Sequence, residues 1–288
     1  MSVPSGQNLT SADTAASLAA PTRRVAATQR GARPRHEWAT VLASQLILVG
    51  LLLGLWELAT RSEPARAFLY GSPSAILTNL VRTVRDGSLW QDTALTGSET
   101  LAGFVLGNVL GAAIGLALWY SRFASRVLQP FILALGSIPI VALAPIVIIW
   151  FGTGFASKLA MATLSVVVVA LVIAYKGAMG VDPDQINLMR ALGAGKHQIF
   201  LHLVVPASLT DIFAGLKLTV GFALVGAIVG EFMSSAAGLG HAIFKAGSLY
   251  IISRVFAELA VTILLALLLS AIVSRVERWL LPWRHDLQ

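Results

Sequence analysis

VDPDQINLMRALGAGKHQIFLHLVVP, residues 181–206, is the polar interruption in an otherwise apolar chain, and its reading decides the fold. Asp182 has the side chain of a helix N-cap, Pro183 suits the first helical position, and Gln185 three residues after the cap approximates a capping box. A helix is predicted from Pro183. Ile186, Met189 and Leu192 recur every three residues as a narrow apolar stripe, with Asp184, Asn187 and Arg190 outside it. Gly193 and Gly195 break the run, and Gly193 can take a positive φ without penalty. A second short amphipathic helix is expected next, with Ile199, Phe200, Leu203 and Val204 apolar and Lys196, His197, Gln198 and His202 polar, stopped by Pro206. Two short helices with a glycine elbow make a surface on which another protein can push.

The rest of the chain is membrane-seeking. Mean hydropathy is +0.78, hydrophobic residues make up 56% and charged residues 12%, against roughly 25% charged in an average soluble domain. The net charge of +7 does not imply a nucleic-acid partner, because in a membrane protein the position of the charge matters more than its total. With no cysteine there is no disulfide, no thiol nucleophile and no cysteine-held metal.

Residues 1–37, rich in Ala, Ser, Thr and Arg, read as a disordered cytoplasmic tail, with an organellar transit peptide as the lesser alternative. Residues 38–92 hold a first span at 41–60 and then a periplasmic interfacial segment, in which a helix runs from Pro73 through Arg85 with Ile76, Leu80 and Val84 along one face. Residues 93–283 form the core. Its first span, 93–120, carries Gly103, Gly107, Gly111 and Gly115 every four residues, a ridge for close helix packing within the chain in preference to between subunits. The span at 126–151 is interrupted by Pro130, Pro139 and Pro145, giving either a pathway-lining broken helix or a packed kink. Spans at 155–174, 211–235 and 255–279 follow, with a loop at 236–254 containing Gly238-Leu239-Gly240, and 284–288 end the chain as a cytoplasmic tail. Six crossings put both termini on one side. Thirteen of the Lys and Arg residues then fall on that side against seven on the other, which makes it the cytoplasm.

Glu231 is the carboxylate that most needs an explanation, since an acid within an apolar span faces a cavity or a partner. It can anchor structure, hold a gate through the following glycine turn, or touch solute. Glu99 and Glu258 are expected near the outer ends of their spans as solvated groups, and Lys217 as a snorkelling one. The chain has no phosphate-binding loop, no metal-ligand spacing among its histidines and no nucleophile elbow, so no catalytic residue, metal or cofactor is expected on it.

Taken together, these residues resemble the membrane-spanning permease subunits of bacterial ATP-driven (ABC) importers. In that family's coupling loop, Glu-Ala-Ala is followed three residues later by Gly and further on by Ile/Val-x-Leu/Val-Pro. Here the Gly is Gly193 and the close is Leu203-Val204-Val205-Pro206, while Asn187, Leu188 and Met189 stand at the Glu-Ala-Ala positions. Ala191-Leu192-Gly193-Ala194, Val205-Pro206-Ala207, Gly215-Leu216-Lys217, and Glu231 followed by Gly238-Leu239-Gly240 resemble the nitrate, sulfonate and taurine branch. Val229-Gly230-Glu231-Phe232 and Leu281-Pro282-Trp283-Arg284 lean toward permeases for thiamine pyrimidine precursors or riboflavin.

The resemblance implies an all-α fold of six transmembrane helices, the type I importer permease fold, with a cytoplasmic two-helix coupling loop. It implies a homodimer in the bacterial inner membrane, a separate ATPase subunit carrying ATP and Mg, and an extracytoplasmic solute-binding protein. Asp182, Asp184, Ile186, Met189, Arg190, Ala191, Leu192, Gly193 and Pro206 would couple to the ATPase, and Glu231, Pro139 and Pro145 would form a pathway or gate. The rival reading is a secondary transporter driven by an ion gradient through intramembrane glutamates Glu231 and Glu258.

Overall fold

The structure, a computed structural model, describes residues 37–280. The expectations for the arginine-rich tail, for Trp283 and Arg284 and for the terminal segment lie outside these residues. The chain divides into two compact units after Leu51. Among the described residues the first holds the beginning of helix α1, Glu37–Arg61, and the second holds everything that follows.

The described residues form helices joined by short links, without strands. After α1 come α2 (Pro64–Tyr70), α3 (Pro73–Arg85), α4 (Ser88–Leu118), α5 (Arg122–Gly136), α6 (Ile140–Phe151), α7 (Phe155–Met179), α8 (Pro183–Ala191) and α9 (Lys196–Ile199). One π-type turn, Phe200–Val204, joins α9 to α10 (Val205–Ser234), and α11 (Leu239–Ser248) and α12 (Ile252–Leu280) complete the order. Five helices are long and apolar enough to cross a bilayer, and a sixth crossing arises if the bent pair α5–α6 counts as one span.

Glycine sets the centre of the packing. In α4, Gly103, Gly107, Gly111 and Gly115 lie against α7, where a Cβ on Gly107 would stand 2.6 Å from the Val166 Cβ and one on Gly111 would stand 2.5 Å from the Val167 carbonyl oxygen. Only hydrogen side chains let the two backbones come this close. From the other side α10 closes on α7, with Gly226 set against Met161 and Ala162. Phe104, Val166, Ala170, Val220 and Ala223 fill the space between the three helices, and Val273 of α12 seals it.

Two corrections concern helix ends and bends. Pro206 does not stop the second coupling helix: it sits in the first turn of α10 directly after the π-type turn, where the Val205 N–H reaches back to the Phe200 carbonyl and the helix continues past the proline. The chain therefore stays helical from Lys196 to Ser234, 39 residues. The proline-rich span is not one kinked helix: α5 and α6 meet at 96°, with Pro139 as the N-cap of α6, whereas Pro130 and Pro145 sit inside their helices. α3 runs from Pro73 to Arg85 as expected, yet its inner face is docked on α12. Asn79 donates to Ser253 Oγ at 3.0 Å and Leu80 packs against the cluster of Leu89, Leu224 and Leu239. Glu57 near the end of α1 accepts from the Ser74 amide (3.0 Å) and hydroxyl (2.8 Å), fastening the entry of α3.

Candidate functional site

The stretch 181–206 folds into a compact elbow. Asp182 caps α8, but its carboxylate accepts from the Asp184 amide at 2.9 Å and no bond from Gln185 closes a capping box. The acceptor is spent on the second amide of the turn, which leaves Gln185 exposed. Gly193 terminates the helix at φ +83°, with its own amide bonded to the Arg190 carbonyl and that of Ala194 to the Met189 carbonyl, both 2.9 Å. A side chain on Gly193 would meet nothing within 4 Å, so glycine is needed there for its backbone conformation alone.

The apolar stripe is divided. Ile186 and Met189 are half-buried against Ala178, Val181, Ile199 and Val204 of the chain's own core. They hold α8 in place and do not face outward. Leu192 is 75% exposed, and Leu188, outside the stripe, is 61% exposed. Asp184, Arg190 and Ala191 are also exposed. The outward apolar face of the loop is therefore Leu188 with Leu192.

A second cluster surrounds Glu231 at the opposite end of α10. The N-terminus of α11 presents three consecutive backbone N–H groups, and each finds a side-chain acceptor: Gly238 N donates to Asp92 (2.7 Å), Leu239 N to Thr96 Oγ1 (2.9 Å) and Gly240 N to Glu231 Oε2 (2.6 Å). Thr96 in turn donates to Glu231 Oε1 at 2.6 Å. Negative groups belong at this end of a helix, where the orphan N–H groups and the dipole both favour them. Both glycines of Gly238-Leu239-Gly240 are explained by the same carboxylate, since a Cβ on Gly238 would fall on it and one on Gly240 would lie 2.6 Å from its Oε2. Gly238 also takes φ +108°.

Glu99 and Glu258 are 1% and 2% exposed, so neither is a solvated group at a span end. Glu99 interacts with Glu231 and with Lys158, a lysine 2% exposed whose ammonium donates to the Thr153 and Ser234 carbonyls. The lysine ties the start of α7 to the end of α10. Glu258 pairs with Arg254 at 3.6 Å. Lys217 bridges α10 to α12 through Glu277 at 2.6 Å and is an ion-pair partner across the helix interface. Among the described residues no group of three or more His, Asp or Glu is placed to hold a metal ion.

Sequence reading missed Asp92, Thr96 and Lys158 as members of this cluster, and α11 as a helix. One signal was available. A lone charge inside an apolar span calls for a partner, and Glu99, Lys158 and Glu231 answer one another.

The bend between α5 and α6 lies beside a small apolar cavity of about 240 Å³ lined by residues that include Leu135, Ile138, Val168, Phe222 and Val225. Pro139 is exposed at the bend and Pro145 on α6.

Residues 107–284 match the binding-protein-dependent transport system inner membrane component family. A probable ABC transporter permease protein of Haemophilus influenzae is 30% identical, over 79% of this chain and 92% of its own length. The riboflavin transport system permease protein RibX of Chloroflexus aurantiacus is 30% identical over 86% and 92%. The putative aliphatic sulfonates transport permease protein SsuC of Bacillus subtilis is 27% identical over 92% and 95%. Among solved structures, an inward-facing form of the MetNI methionine ABC transporter superimposes with a TM-score of 0.60 at 18% identity, covering 67% of this chain and 96% of that one, a likeness of fold. The elbow at 181–206, the glycine-packed helices and these matches lead to one conclusion: the chain belongs to the family of inner-membrane permease components of binding-protein-dependent ABC importers.

Proposed function

We propose that this permease subunit works as a homodimer, takes its energy from a separate ATPase that carries ATP and Mg, and receives its solute from an extracytoplasmic binding protein. The observation that carries the coupling role is the elbow itself. A nine-residue helix is held rigidly to the core by Ile186 and Met189 while it offers Leu188 and Leu192 to the outside, a pattern suited to a helix-in-groove contact. The loop and both termini face the cytoplasm by the distribution of Lys and Arg. Force on the loop passes directly into the membrane, because α9, the π-type turn and α10 form one helical rod.

The second copy would cover the exposed apolar face of α5 and α6, where Phe131, Leu133, Val141 and Ile149 are left uncovered by the described residues. The path would then run past the bend at Pro139 and past Pro145. Glu231 serves as an anchor for α11 at the far end, and any gating there acts through α11. The solute is a small molecule of the nitrate, sulfonate or taurine type, or a thiamine pyrimidine precursor or riboflavin, in line with the names of relatives such as SsuC and RibX.

The test is uptake by the chain reconstituted with its ATPase and binding protein in vesicles, one solute of each type in turn. ATP inside the vesicle should be required, and an ionophore that collapses ion gradients should leave uptake unchanged. Uptake that fails with the ionophore and persists without ATP would move the assignment to an ion-driven carrier working through Glu231 and Glu258.

A further inference from the structure

The inner side of α8 roofs a cleft of about 660 Å³ whose opposite wall is the corner after α4, Trp119 to Arg122. Pro183, Ile186, Asn187 and Arg190 line it, at the i, i+3, i+4 and i+7 spacing of one helical face. On a helix with 3.6 residues per turn this face is about 170° from the one that carries Leu188 and Leu192. The cleft is therefore separate from the outward apolar surface.

Its chemistry is cationic. Arg122, Arg190 and Lys196 all line it, and no carboxylate does. The corner is rigid: Trp119 and Tyr120 pack on Phe200 with ring centroids 5.6 and 5.0 Å away, and the Tyr120 hydroxyl meets His197 Nδ1 at 3.0 Å. Lys196 donates to the Tyr120 carbonyl at 2.5 Å and lies 5.2 Å from the centroid of its ring, so one of the three cations is fixed before any ligand arrives. One wall of the cleft stands at the end of a span, since Trp119 and Tyr120 directly follow the apolar helix Ser88–Leu118, and such aromatic side chains settle at the membrane–water boundary.

We propose that this cleft binds a phosphate-bearing anion, and that its place at the membrane boundary makes the phosphodiester headgroup of an acidic phospholipid the favoured source over free phosphate. Basic pockets between spans at a membrane face bind such headgroups, and the aromatic walls can cover the glycerol end. A headgroup seated here touches Arg190 on α8 and Arg122 on α5 together, and so reports lipid charge to the loop. The inference depends on the permease reading only for placing the cleft at the bilayer surface. Its test needs no ATPase, so either can fail alone.

The experiment is a fluorescence titration of the purified full chain in uncharged detergent with short-chain phosphatidylglycerol, short-chain phosphatidylcholine and inorganic phosphate, with Trp119→Phe to identify the responding indole. Phosphatidylglycerol should bind and phosphatidylcholine should not. An Arg122→Gln, Lys196→Gln double variant should bind phosphatidylglycerol about twenty-five-fold more weakly, at fivefold per cation, while Arg122→Lys, Lys196→Arg retains binding. A response to inorganic phosphate that matches the lipid assigns the site to free phosphate. Equal responses to both lipids, or an unchanged preference in the Gln double variant, overturn the proposal. So does the absence of any response of the native chain to phosphatidylglycerol.

Discussion

Replacing Glu231 should show what the carboxylate does. It is fully buried and accepts from two donors, the Thr96 hydroxyl and the Gly240 amide. Glu231→Ala leaves both donors without that acceptor in a site that water cannot reach, at about 1–3 kcal/mol each, and removes side-chain volume beside Gly238 and Gly240. The two donors alone come to about 2–6 kcal/mol, and the lost volume adds to that. Glu231→Gln keeps the shape and one acceptor oxygen, but turns an amide NH₂ toward the other donor, for about 1–3 kcal/mol. The chain has no cysteine, so Leu224→Cys, in the core beside α11, provides a single thiol whose reaction with a dye follows thermal unfolding in detergent. The expected order of stability is native, then Gln, then Ala. In the Ala background, Gly238→Ala should cost less than in the native chain, because the carboxylate accounts for the contacts its Cβ would make. Equal stability of the Ala variant and the native chain would refute the anchor. Equal loss for Gln and Ala would show that charge, not hydrogen bonding, is what the site needs.

Three further outcomes follow from the packing and the surface. Gly111→Leu forces a side chain against the Val167 carbonyl and should destabilise the chain by at least about 1–3 kcal/mol, read by the same thiol assay, whereas Gly50→Leu, which meets nothing, should not. Lys217→Ala should cost at most about 1 kcal/mol, because the lysine side chain is 49% exposed and its pair with Glu277 is screened. The Asp86 carboxylate, held below its ordinary range by the Ser88 hydroxyl and amide, lends its support above the ordinary aspartate range and loses it as pH falls through the depressed value. Hydrogen exchange at the start of α4 should therefore quicken only in strong acid, and Asp86→Asn should remove that dependence.

The sequence made the spans, the glycine ridge and the elbow legible because each rests on local rules: apolar length, four-residue spacing and the special backbone of glycine. What faces what was less legible. The period through Ile186, Met189 and Leu192 marked an apolar stripe, yet it could not say that the first two residues pack inward while Leu192 stays out. Glu99 reads as a solvated charge because its partners lie on other helices, far along the chain. In α11, the glycines at 238 and 240 suggested a loop and obscured Leu239, Ala242, Ile243 and Ala246, a helical spacing that is buried in full. Pro206 suggested a stop because a proline ends a helix and also opens one.

The central claim is that the elbow at 181–206 is where an ATPase grips this permease, and capture of that ATPase by a tagged chain tests it most directly. Leu192→Asp, on the exposed face, should abolish capture while the chain inserts and unfolds as the native one does. Gly193→Val should impair capture by straining the elbow, at about 1–3 kcal/mol. Met189→Asp should act differently, lowering the stability of the chain itself. If Leu192→Asp holds the ATPase as firmly as the native chain, the elbow is not the coupling surface.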